Sequence, residues 1–151
     1  MTKVGLEDNS NDSKCSDIKF SKDGRKMFLG NVTGKIHGFD LAKPFDLTDV
    51  TYSDNVSDDL TDGNTGGRAN FSFSNDGKKL IFLDGTREAQ HIDEYTLSIA
   101  YDLTSINLVN TISLTTTANL DSKDDAHAIE FSQDGMTMFV LMHDGNALMQ
   151  T

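Results

Sequence analysis

Apolar residues alternate with polar or small ones at three places in the chain: Ile18 and Phe20, Phe71 and Phe73, and Ile129 and Phe131. That period of two predicts three half-buried strands, each closed by its phenylalanine. Each phenylalanine opens the same pentapeptide, "FSKDG" at 20 to 24, "FSNDG" at 73 to 77 and "FSQDG" at 131 to 135. Ser and Asp can bond nearby backbone amides and Gly tolerates positive φ, so the pentapeptide predicts a tight hairpin turn. Asp23, Asp76 and Asp134 are accordingly turn formers rather than catalytic carboxylates. After each turn comes an apolar run, "KMFLG", "KLIFL" and "TMFVL", in which consecutive positions are apolar. Such strands are buried on both faces, which requires stacked sheets.

The second repeat suggests a third strand at "LSIAYDL", where Leu97, Ile99, Tyr101 and Leu103 alternate with Ser98, Ala100 and Asp102, and the first repeat matches it with "IHGFDL". A fourth strand is expected at "TDVTY" and "VNTISL", with Val50 and Tyr52 corresponding to Ile112 and Leu114. Recurrence at intervals of 53 and 58 residues, with four antiparallel strands per unit, predicts an all-β protein built of β-propeller blades. The expected divisions are a first repeat at 15 to 54, a second at 68 to 115 and a partial third at 126 to 151. The third repeat holds sequence for three strands. The segment 1 to 7, in which Val4 and Leu6 take the places of Ile112 and Leu114, supplies a lone fourth strand.

These repeats resemble the "FSPDGKKLYV" blades of YVTN-type and WD-repeat-like propellers, and "FDLAKPFDLTDVTY" at 39 to 52 is similar to blades found in marine bacterial and phage proteins. The resemblance implies a propeller fold and a structural or binding role, with a viral or bacterial surface as its setting. Two features depart from the pattern: no proline follows the first serine of any copy, and the WD dipeptide is absent.

Three blades cannot close a ring, because propellers use about four to eight. The leading expectation is a homodimer forming a six-bladed ring, in which segment 1 to 7 of each chain completes the other's third blade; the alternatives are a piece of a longer propeller and a nine-bladed trimer. Without such closure, the apolar faces of both terminal blades would meet water.

Composition narrows the partners. Asp and Glu number 24 against 13 Lys and Arg, for a net charge of −11, which excludes nucleic acid and anionic membrane surfaces as expected partners. Cys15 is the lone cysteine, so an intrachain disulfide is excluded. The longest apolar run, Met138 to Met142, is far short of a bilayer span.

Candidate ligand-binding residues belong at the rim and channel of a propeller. His127 aligns with Ser16 and Ala69, so the repeats place different side chains at one channel position. Arg68 follows the Gly-rich "GNTGG" on an acidic rim and could orient an anionic or sugar ligand; "GNTGG" lacks the Lys and Ser/Thr of a phosphate loop. His91 belongs to an insertion at 84 to 95 that carries Arg87, Glu88 and Asp93 and occurs in one repeat only. Asp124, Asp125 and His127 have the donor types of a divalent cation site, yet they lack the spacing of a recognised metal loop, and a solvated loop is the expected reading. No G-x-S-x-G elbow is present and no Ser, His and Asp are fixed by spacing, so no catalytic residue, metal or cofactor is expected. A non-enzymatic scaffold binding a protein or carbohydrate through Arg68, His91, Asp125 and His127 is the leading expectation. A metal-dependent, lactonase-like propeller is the alternative.

Overall fold

The structure is a computed structural model that describes residues 14–61, 69–84, 90–114, 125–132, 136–143 and 148–150, with the backbone alone at 125, 142, 143 and 148–150. It is all-β. Strands β1 (Cys15–Phe20), β2 (Lys26–Asn31), β3 (Ile36–Leu41) and β4 (Val50–Val56) form one antiparallel sheet in chain order. A second sheet follows the same order with β5 (Ala69–Phe73), β6 (Lys79–Asp84), β7 (His91–Leu97) and β8 (Ile106–Ser113). The third holds β9 (Asp125–Phe131), β10 (Met138–His143) and β11 (Leu148–Gln150), three strands among the described residues. No helix among them is long and apolar enough to cross a membrane.

The pentapeptide builds the predicted hairpins. Ser21 Oγ donates to Asp23 Oδ1 at 2.7 Å, and Asp23 Oδ1 accepts Arg25 N at 3.0 Å. The second copy repeats this with Ser74 on Asp76 at 2.6 Å and Lys78 N on Asp76 at 3.0 Å. Gly24 and Gly77 sit at φ +68° and +69°, the left-handed region that these turns require and that glycine adopts without strain. Asp134 lies outside the described residues.

β2 and β6 bury both faces, as their apolar runs require, whereas on β10 Val140 is buried and Leu141 is exposed. Phe28, Ile36, Ala69, Phe71, Leu80, Phe82 and Leu97 form the core between the first and second sheets. Leu83, Ile92 and Leu114 meet Ala126, Ile129 and Val140 between the second and third. Burying each large side chain is worth about 1.5–3 kcal/mol. Gln90 adds a polar tie at the second joint: its Oε1 accepts Ala126 N at 3.1 Å and its carbonyl accepts Leu114 N at 2.9 Å.

The third strand of the second repeat is β7, ending at Leu97, and not the segment 97 to 103. Leu97 and Leu103 are buried, but Ile99 is 61% exposed and Leu103–Ser105 is a 3₁₀ turn. The true counterpart of "YDL" at 101 to 103 is the second "FDL" of the first repeat, 45 to 47. Phe45 N donates to Gly24 O and Tyr101 N to Gly77 O, each at 2.8 Å. Both aromatics take positive φ, +57° and +61°, laying their rings over the turn glycine. Asp46 and Asp102 then cap their loops by accepting the backbone amides of Thr48 and Thr104.

The fourth strand moves with it. Leu41 pairs with Val50 and Leu97 with Ile106, so Val50 and Tyr52 correspond to Ile106 and Leu108, not to Ile112 and Leu114. Of the expected insertion at 84 to 95, residues 91 to 95 are strand, 85–89 lie outside the described residues, and Asp84 ends β6.

Candidate functional site

Strands β1, β5 and β9, the first of each sheet, lie side by side. Ser16, Ala69 and His127 occupy them, as the aligned repeats predict, but the three positions differ in kind. Ser16 falls at a register irregularity between Cys15 and Asp17, and His127 at one between Ala126 and Ala128. A bulge there leaves the extra residue unpaired and re-aims its side chain. Ala69 instead pairs regularly with Asp84 and is fully buried, so it faces no solvated channel. Ser16 Oγ donates to Ala69 O at 3.2 Å, tying the first two inner strands together.

One level along, Asp17 bridges the same strands: its Oδ2 accepts Phe71 N at 3.1 Å and its Oδ1 accepts Ile18 N at 2.8 Å. Burial pushes its carboxyl above the ordinary range, against the opposing pull of those amides and of Lys19. Lys19 Nζ reaches Glu130 Oε2 on β9 at 3.2 Å, an ion pair that spans from the first sheet to the third. Asn70 on β5 is buried with its Nδ2 unpaired.

A second polar group sits on β6, β7 and β8. His91 Nε2 lies 3.2 Å from Asp93 Oδ2, and Thr111 Oγ1 donates to Asp93 Oδ1 at 2.5 Å. Asp84, fully buried, is the cross-strand neighbour of His91. The first sheet has a related set: His37 takes the place of Asp93, its Nε2 lies 3.3 Å from Asn31 Nδ2 and its Nδ1 3.3 Å from Tyr52 Oη. The Asp93 carboxylate thus takes the Thr111 hydroxyl on one oxygen and faces His91 Nε2 with the other. Among the described residues, no group of three His, Cys, Asp or Glu could hold a metal ion.

The structure thus places His91 inside a strand, embedded beside Asp93, rather than on an inserted loop. His127 is half-buried on β9, and Asp125 begins that strand, paired with His143, with only its backbone described. Arg68 and Asp124 lie outside the described residues. Asp84 and Thr111 escaped the sequence reading because their link to His91 and Asp93 is one of cross-strand register, which becomes visible only once β7 begins at His91.

No family model and no curated protein matches the chain. Among solved structures it is similar to the β-propeller domain of Cps50 (Swd1) from Myceliophteria thermophila, with a TM-score of 0.58 and 11% identity over 97% of this chain. The fold is that of a β-propeller. The match covers 43% of the Cps50 chain, so the present chain spans less than half the length of that propeller.

Proposed function

We propose that the chain is a non-catalytic propeller scaffold that closes into a six-bladed ring with a second copy and binds a protein or carbohydrate at the mouth of the ring. The observation that carries this reading is the side-by-side packing of β1, β5 and β9, whose bulges turn Ser16 and His127 out of register at one end of the inner strands. Half-exposed polar side chains on a rigid scaffold offer hydrogen bonds without a reactive group, which suits recognition. Asp125, next to Ala126, begins β9 at the same end, and His91 contributes by bracing Asp93; Arg68, the remaining candidate of this proposal, lies outside the described residues. A viral or bacterial surface is the setting that the repeat resemblance implies.

In the proposed ring each copy contributes its three sheets, which hold four, four and, among the described residues, three strands. Segment 1 to 7, which lies outside the described residues, is the proposed fourth strand of the partner's third blade. Multi-angle light scattering should give twice the 16.6 kDa of one chain. A stable particle of single-chain mass would remove the ring.

A further inference from the structure

The two internal joints between sheets show how one blade receives the next, and the shared pentapeptide puts their positions in correspondence. Two residues before the phenylalanine stand Ile18, Phe71 and Ile129; ten residues after it stand Gly30, Leu83 and Leu141. At the first joint Gly30 abuts Phe71: a Cβ on Gly30 would lie 3.0 Å from the Phe71 ring. At the second joint Leu83 and Ile129 share one core cluster, 0% and 2% exposed. A small residue therefore meets a large one, or two of medium size meet, so that the filled volume is kept.

The remaining members of the two series are Leu141, 54% exposed, and Ile18, 48% exposed. They are a Leu and an Ile, the same pair as at the second joint. A second set agrees. Tyr101 stacks on Phe28 of the preceding sheet with ring centroids 5.9 Å apart and its hydroxyl accepts Lys22 N at 3.3 Å, while Leu103 is buried in the same joint. Their counterparts on the first sheet, Phe45 and Leu47, are exposed. The centre of that face, Met27, Phe39 and Leu41, is already buried within the chain, so its margin is what lies open.

Resting on the ring proposed above, we infer that Leu141 of one copy packs against Ile18 of a second copy, with Phe45 and Leu47 at the margin of the same contact. The occupant is a second copy because Leu141 and Ile18 are the two halves of one joint, and a twofold ring brings each half to its complement twice.

Complementation in trans tests this. Ile18→Lys and Leu141→Asp each place a charge opposite an apolar partner at both joints, so each alone should run at single-chain mass. An equimolar mixture has one Ile18–Leu141 joint and one Lys–Asp joint, and should recover the double mass. Both substitutions are at exposed positions, and circular dichroism reports whether each variant keeps its strands. A chain carrying Ile18→Cys and Leu141→Cys with Cys15→Ser gives an independent reading: a short bis-maleimide should yield a covalent dimer. Wild-type protein of single-chain mass would sink the ring itself. A wild-type dimer that survives both charged variants, or folded variants that fail to complement, or a dimer without cross-link, would leave the ring standing and overturn this contact.

Discussion

The chemistry of single residues in this protein is mostly turn chemistry, and it makes the acid limb of stability predictable. Asp23 and Asp76 have carboxyls held below the ordinary 3.8, first by the serine hydroxyl of each turn and then by the amides of Arg25 and Lys78. Asp46 is lowered in the same direction by the hydroxyl and amide of Thr48. A carboxylate favoured by the fold stabilises it above its unfolded pKa, and that contribution is lost as pH falls through the folded value. Asp17 has the opposite sign: burial raises its pKa, so it favours the folded state in its protonated form and opposes it as pH rises past 3.8. The contribution of Asp17 changes only above 3.8, so below that pH the three lowered groups predict a fall in urea midpoint. Replacing Asp23 and Asp76 together by Asn, which keeps an acceptor but cannot titrate, should flatten that fall; an unchanged acid limb would show that these turns are not its source.

At the scale of elements, the loop that follows β7 locks the second sheet to the first. Asn55 on β4 donates to Tyr101 O at 2.8 Å and accepts Leu103 N at 2.7 Å, holding the second sheet's loop from the first. Asn55→Ala leaves both backbone groups without that partner and should cost about 1–3 kcal/mol in urea denaturation. Asn55→Asp retains the acceptor for Leu103 N and should lose less. Equal losses for the two variants would mean that the donor to Tyr101 carries the clamp. This loop is also where the sequence misled. The first two hairpins and the doubly buried β2 and β6 were legible because they rest on local rules, positive-φ glycine and consecutive apolar positions. The third strand of the second repeat was not, since the first repeat contains "FDL" twice, at 39 to 41 and at 45 to 47, and "YDL" at 101 to 103 matches either by composition. Only the backbone decides, through the positive φ shared by Phe45 and Tyr101. The same displacement hid the candidate site: the neighbours of its two central residues, Asp84 opposite His91 and Thr111 opposite Asp93, are set by strand register, which no short motif encodes.

For the whole molecule, charge and apolar surface act in opposite directions on assembly. Each chain carries −11, so two chains that approach one another repel. The contacts proposed for the joints, Leu141 with Ile18 and the exposed Phe45 and Leu47, are apolar and gain nothing from counter-charges. Raising ionic strength from about 0.01 M to about 0.15 M shortens the Debye length from roughly 30 Å to roughly 8 Å, which removes most of the long-range repulsion between two acidic surfaces. The dimer should therefore tighten with salt. Sedimentation velocity across that range, at a chain concentration where both species are populated, should show the dimer fraction rising several-fold. A fraction that falls with salt would mean that ion pairs, not apolar side chains, hold the copies together, and the charge of −11 would then have to be distributed so that acidic and basic surfaces meet.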